Sequence, residues 1–252
     1  MTPLFKSHYS IGKSILTLNE PSEPNGSSDS VFDIVKENNL TEVVMVEDSF
    51  MGFLQANKVA KAMDVNFRFG LRIDIVDESF DPEDKKIPKH KLIVFSKNSE
   101  GCKCLFKIYS KVKSDDINAI TLTDLASYWD SDHLDLAVPF YDSFLFCNLF
   151  LFNSFVVDLS SFSPHFFLED NGLPFDFMLE NNIKNYTLNH SYLTHKTKSI
   201  FYKNREDFEA FLTYKLICSR SSFASRKSSL EKPNLDHMGS KEFCYESLLE
   251  QS

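Results

Sequence analysis

The chain has 252 residues, a length between one large domain and two small ones, because a typical domain has about 150 residues. Its 42 % hydrophobic and 25 % charged residues, with only 7 Gly and 9 Pro, exclude a collagen-like or low-complexity architecture. The 27 basic and 36 acidic residues give a net charge of −9, which disfavours a long phosphate-binding surface, so we expect little direct binding of nucleic acid.

Helices are predicted where apolar residues recur at helical spacing behind a capping side chain. Ser30 or Asp29 caps the first helix. A second helix at 52–63 is expected to bury Leu54 and Val59. The further predicted helices are 100–112, 122–129, 175–182 and 205–218.

Strands are predicted for short runs of β-branched and aromatic residues bounded by turn formers. In chain order they are 3–10, 42–46, 67–75, 91–96, 134–138, 144–152, 155–159 and 165–169. Repeated strand-to-helix crossovers are typical of a mainly parallel sheet or barrel, whose ligands bind at the carboxyl ends of the strands. We therefore predict a single α/β barrel domain with its site at those ends.

The end of the chain differs in character from the barrel. Residues 221–232 are polar and aperiodic, which predicts a linker, and Ser240 is expected to cap a short terminal helix. We thus divide the chain into a barrel, 1–220, and a linker with a terminal segment, 221–252. The apolar residues of this segment either dock in a partner's groove or pack on their own barrel, and partner contact is our prediction. They are Phe243, Tyr245, Leu248 and Leu249.

No membrane-spanning segment is expected, because polar residues interrupt the longest apolar stretch, 144–159. The first residues lack the basic and apolar regions of a signal peptide. Five cysteines, an odd number, indicate reduced thiols. These features predict a cytoplasmic protein.

Several short motifs resemble those of the polymerase and histidinol phosphatase (PHP) family, most closely the PHP domain at the start of bacterial DNA polymerase III alpha subunits. Ser7-His8-Tyr9-Ser10 matches the residues that follow the family's His-x-His, and 43–53 matches its second motif. The later landmarks follow in the family's order: 67–73 with Gly70, 91–105 with Lys-Asn and a helix-opening Gly, and 199–210 for the closing Asp-x-His-Tyr. Their joint order carries the resemblance.

The resemblance implies a distorted (β/α)7-like barrel with clustered metal ligands. In this sequence most of the ligand positions carry other residues: Leu4, Lys6, Lys13, Arg72, Ser199 and Phe201. Acidity survives only at Glu47 and Asp48, and a register shifted by one residue would place Val46 at the Asp position. Because the new cations repel a metal at close range, we expect a metal-free pocket with no cofactor and no catalytic residue. Arg72 is expected to pair with Glu47 or Asp48.

Other candidate ligands are interpreted as structural. His165 with Glu169, and His190 with His195, have usable spacings but lack a tight helix-borne pattern. His8 is expected to be a hydrogen-bonding residue beside Tyr9. The remaining pair, Cys102 and Cys104, would point in different directions on a helix.

The leading functional hypothesis is a non-catalytic PHP module that acts in DNA replication through contact with a polymerase or another replisome component. No catalytic aspartates of a polymerase palm are recognised, so polymerase activity is not expected. One alternative is a divergent metal-dependent phosphoesterase that uses Glu47 and Asp48. A second is an inhibitor that mimics a PHP domain to bind a host replisome. The Phe-rich composition suits a bacteriophage or a compact bacterial genome, and a phage protein would act in the host cytoplasm.

Overall fold

Seven strands form a closed barrel in chain order in the computed structural model, which describes residues 1–21, 29–80, 87–114, 116–219 and 239–251. The strands are β1 Thr2–Phe5, β2 Glu42–Glu47, β3 Asn66–Ile75, β4 His90–Ser96, β5 Leu134–Val138, β6 His165–Leu168 and β7 Leu193–Ile200. The α-helices of these residues are α1 Val31–Glu37, α2 Phe53–Ala62, α3 Ser99–Ser114, α4 Leu122–Ser127, α5 Phe144–Phe150, α6 Asp176–His190, α7 Phe208–Ser219 and α8 Tyr245–Gln251. The predicted α/β barrel is therefore correct at the level of architecture.

The chain divides into two compact units. The first consists of Met1–Phe69, Glu169–Asp176 and Thr197–Ser252. In this unit β1 pairs in parallel with β2 and with β7, and Leu4 lies opposite both Val44 and Ser199. Parallel pairing places the carboxyl ends of these three strands at the same edge.

The second unit consists of Gly70–Leu168 and Phe177–Lys196. Here β5 and β6 pair in parallel, as do β6 and β7, but β4 runs antiparallel to both β3 and β5. An antiparallel return needs no crossover helix, and the described residues between β3 and β4 contain none. The prediction of a mainly parallel barrel therefore needs correction at β4.

Local signals account for the helices that match the sequence prediction. Ser30 and Asp33 form a reciprocal capping box at the start of α1, as the sequence indicates. In α2 the buried residues are Ala56, Val59 and Ala60, whereas Leu54 is 76 % exposed. Positions 56, 59 and 60 share one helical face and Leu54 lies off it, so the predicted burial of Leu54 is wrong.

Two strand predictions in the Phe-rich region are wrong. Residues 144–150 form the helix α5, which begins where Ser143 Oγ accepts a hydrogen bond from the Phe146 N–H. No strand lies at 155–159. A run that is apolar at nearly every position has no period to separate a helix from a strand, which explains the error.

The strand β7 was not predicted. Its residues Leu193 to Lys196 are exposed, and burial begins at Thr197. A strand of this polar composition has no apolar alternation, so only pairing with β1 and β6 identifies it.

The terminal segment belongs to the first unit, and our prediction that its apolar residues dock on a partner is wrong for Phe243, Tyr245 and Leu248. Phe243, Tyr245 and Leu248 are buried, and the Phe243 ring stacks on Phe201 with centroids 5.4 Å apart. The helix α8 begins at Tyr245, later than predicted. The predicted linker, 221–232, lies outside the described residues.

Two broader features concern the thiols and the helices. All five cysteines are unpaired thiols. Within the described ranges, no helix has both the length and the apolar character needed to cross a membrane.

Candidate functional site

The first unit brings together five of the sequence-predicted site residues at the carboxyl ends of three parallel strands. Leu4 lies on β1 and Ser199 lies opposite it on β7. Lys6 follows β1, Glu47 is the last residue of β2, and Asp48 follows it. We call this group, with its hydrogen-bonding neighbours, the strand-end site.

An ion pair lies at the centre of the strand-end site. The Nζ atom of Lys6 is 3.2 Å from Oδ2 of Asp48. The Lys6 side chain is 5 % exposed and that of Asp48 is 35 % exposed, so the lysine is buried and the aspartate reaches solvent. The Lys6 backbone N–H also donates to the Ile200 carbonyl at 3.2 Å, which fixes the lysine between β1 and β7. A buried ammonium group thus supplies positive charge beside this carboxylate.

Glu47 is buried and has its own hydrogen-bond donors. Its Oε1 accepts from the Ser7 N–H at 2.7 Å, and its Oε2 accepts from Ser10 Oγ. Ser10 Oγ in turn accepts from the Asp48 N–H at 3.2 Å. Burial raises the pKa of the Glu47 carboxyl above its usual 4.5, and the nearby Lys6 charge and the serine hydrogen bonds oppose this effect. The carboxyl therefore connects the turn after β1 to the end of β2.

A second buried carboxyl, not identified as part of the site from the sequence, follows β6. Glu169 accepts from the Ser199 N–H at 3.0 Å, from Ser199 Oγ at 2.8 Å and from Asn171 Nδ2 at 3.0 Å. Burial raises the pKa of the Glu169 carboxyl, opposed by these hydrogen bonds and by Lys198. The available signal was a glutamate at the end of the predicted strand 165–169, but its partner lies on β7, which the sequence did not predict.

Lys198 is fully buried next to this carboxyl. Its Nζ donates to the Asp170 carbonyl at 2.7 Å and to Gln251 Oε1 at 3.2 Å. Burial lowers the pKa of the Lys198 ammonium, and the charge of Glu169 opposes that change. The lysine thereby attaches the terminal helix α8 to the strand-end site.

The remaining predicted positions have other contacts, and one of them, Arg72, lies in the second unit. Lys13 is exposed, and its N–H donates to the Ser10 carbonyl at 2.9 Å. Phe201 lies between Phe211 and the terminal segment. Arg72, in the second unit, donates through Nη2 to Asp142 Oδ2 at 2.9 Å. Its pairing with Glu47 or Asp48 stays a prediction.

The four histidines interpreted as structural, His8, His165, His190 and His195, each have a hydrogen-bond partner, as predicted. His165 and His195 lie on neighbouring strands of the second unit, with Nδ1 and Nε2 2.9 Å apart. His190 Nδ1 lies 2.8 Å from the Tyr186 carbonyl oxygen. His8 Nδ1 lies 3.3 Å from the Leu16 carbonyl oxygen, and its ring lies 4.3 Å from that of Tyr9.

Among the described residues, no group of three or more His, Cys, Asp or Glu side chains is arranged to hold a metal ion. A comparison with protein-family models finds no match for the chain, and a comparison with curated proteins finds none either. The structure itself shows a closed seven-strand barrel with helices, which is compatible with a barrel-like α/β fold.

Proposed function

We propose that the chain is a non-catalytic PHP-type barrel that acts in DNA replication by binding another protein, either a polymerase or another replisome component. The observation that carries the proposal is the ion pair between Lys6 and Asp48. The family resemblance assigns the Lys6 position to a metal-binding histidine. In this chain the same position supplies an ammonium group to the neighbouring carboxylate.

The surroundings of this ion pair support a structural role. A divalent ion placed beside the Lys6 ammonium would be strongly repelled, because water screens like charges only weakly in a poorly solvated site. Glu47, the other acidic residue of the second motif, uses both carboxylate oxygens to accept from Ser7 and Ser10. These carboxylates therefore hold the ends of β1 and β2 together, a task that metal ions share in a metal-bearing site.

Binding of a protein rather than of nucleic acid agrees with the charge of the chain. A net charge of −9 disfavours association with a phosphate backbone. The module would act by stabilising or recruiting the protein that it contacts.

The experiment measures binding and hydrolysis on the same preparation of the full chain. Biolayer interferometry against a bacterial polymerase III alpha subunit from which the PHP domain has been deleted is expected to show specific binding. The intact alpha subunit serves as the control and is expected to bind much more weakly. Loss of this difference would contradict the proposal.

The alternatives give different results in that experiment. Stoichiometric zinc or manganese in the purified chain, with hydrolysis of p-nitrophenyl phosphate that Glu47→Ala abolishes, would establish the phosphoesterase instead. Tight binding to the intact alpha subunit, with inhibition of primer extension, would establish the inhibitor.

A further inference from the structure

The second unit contains a cavity of about 530 Å³ beside the start of β4. This volume is within the range of small-molecule sites, about 300–1,000 Å³. Three aromatic side chains, Phe80, Phe152 and Phe155, line it together with His90 and Asp77. We call it the His90 cavity, and it shares no residue with the strand-end site.

His90 is the polar group that makes this cavity unusual. The residue is 0 % exposed, and within the described part of the chain neither of its ring nitrogens has a hydrogen-bond partner. Burying a polar group without a partner is unfavourable, so a molecule that offers one gains affinity. Burial lowers the pKa of His90 and so favours the neutral ring, while the charge of Asp74 opposes this effect. A neutral imidazole has one N–H donor and one nitrogen acceptor.

The aromatic wall of the cavity is held in place. The His90 ring stacks on Phe155 with centroids 4.3 Å apart and an angle of 30° between the planes. Asn148 holds the backbone of Phe155 through two hydrogen bonds. Its Nδ2 donates to the Phe155 carbonyl at 2.8 Å, and its Oδ1 accepts from the Phe155 N–H at 3.1 Å. The imidazole is therefore oriented before any ligand arrives.

The described lining of the cavity favours a flat, uncharged molecule. Phe152 has a left-handed backbone, φ 55°, and the residue is 91 % exposed although it lines the cavity. Stacking an exposed aromatic ring on another flat apolar ring is favourable, because it removes apolar surface from water. Among the described lining residues Asp77 is the one carboxylate; it repels anions and already accepts from the N–H and hydroxyl of Ser79.

We propose that the His90 cavity binds a small uncharged aromatic molecule that carries one hydrogen-bonding group, with the ring against the phenylalanines and the polar group on His90. Phenol and toluene are the probes, because they have nearly the same shape and only phenol forms a hydrogen bond. Isothermal titration calorimetry on the full chain is expected to give a dissociation constant about tenfold lower for phenol than for toluene.

Substitution at His90 tests the hydrogen bond. His90→Phe is expected to bring the ratio of the two dissociation constants close to one. His190→Phe, at an exposed histidine of the same unit, should leave the ratio unchanged. Equal affinity of the wild-type protein for phenol and toluene, or no binding of phenol, would overturn the proposal.

A second measurement keeps the test valid if His90→Phe does not fold. In the wild-type protein, phenol is expected to shift the ¹⁵N resonance of the His90 ring nitrogen that it contacts, while toluene, which forms no hydrogen bond, shifts it much less. A phenol-dependent shift confined to other histidines would contradict the assignment of the site. The outcome is independent of the proposed function, because replication-protein binding is not measured.

Discussion

The side chain of Lys6 forms an ion pair with Asp48 between the residues that follow β1 and β2, with the lysine buried and the aspartate partly exposed. The same ammonium group also favours the charged form of Glu47. The charge of a single lysine thus stabilises the ionised forms of two neighbouring carboxyl groups at the end of β2.

Replacing Lys6 by methionine tests this effect. Lys6→Met keeps the apolar stem and removes the charge, so the free energy of unfolding should fall by about 1–3 kcal/mol, less than for a fully buried pair because Asp48 reaches solvent. Urea denaturation measures the change. Lys13→Met, at an exposed lysine nearby, should change stability by less than about 0.5 kcal/mol. Equal effects of the two substitutions would show that the ion pair does not stabilise the fold.

Glu47 should produce a pH-dependent loss of stability. Its pKa is raised in the folded protein, so between pH 4.5 and that raised value the folded state keeps a proton that the unfolded state has lost. Stability therefore decreases as the pH rises through this window. Glu47→Gln has no such proton, and its unfolding free energy relative to the wild type should rise over the same window.

Urea denaturation of both proteins from pH 4.5 to pH 8 gives the comparison for Glu47. Glu169, whose pKa is also raised by burial, is present in both proteins and cancels from the difference. A constant offset would reflect only the altered hydrogen bonds. A difference that stays flat or falls with pH would exclude a raised pKa for Glu47.

Two adjacent leucines in α8 test whether the terminal segment belongs to the barrel. Leu248 is 5 % exposed and Leu249 is 55 % exposed. Leu248→Ala should lower the free energy of unfolding by about 2–5 kcal/mol, because it leaves a cavity in the core. Leu249→Ala makes the same chemical change at the surface and should alter stability by about 0.5 kcal/mol or less. Thermal unfolding that is the same for both variants would contradict the packing of Leu248 in the core.

Gly101 is expected to be required in the first turn of α3. A Cβ at this position would lie 2.1 Å from the His133 carbonyl oxygen, so the backbone would have to move. Gly101→Ala should therefore lower stability by about 1–3 kcal/mol, although alanine favours a helix by about 1 kcal/mol over glycine. Ser110→Ala, on the exposed side of the same helix, is the control and should be close to neutral. Differential scanning calorimetry that finds Gly101→Ala as stable as this control would refute the close approach.

The parts of the fold that could be predicted are those with signals in adjacent residues. The helix α1 has a capping side chain at Ser30 and an apolar face, and α3 buries Leu105, Ile108 and Val112 as its spacing indicates. The strand β7 could not be found in this way. From the sequence, a lysine such as Lys198 is expected at the surface. In the structure it is fully buried, and Gln251 of the terminal helix accepts a hydrogen bond from its ammonium group.

The candidate site shows the same limit. Lys6 and Asp48 were both identified from the motif order, but the ion pair between them depends on the register of β1 against β2. The contact between Glu169 and Ser199 depends on β7. Residue types could therefore be predicted, whereas their pairing required the strand arrangement.

Closure of the barrel has a consequence for folding kinetics. Thr2 pairs with Thr197. One of the two strands beside β1 is therefore β7, which is far from it in the sequence. Pairs so distant in sequence incur a large loop-closure entropy and are associated with slow folding. Until β7 arrives, one edge of β1 offers unpaired backbone groups to any other strand. Refolding from urea should thus be slow and become less efficient as protein concentration rises, with aggregation competing for the open edge of β1.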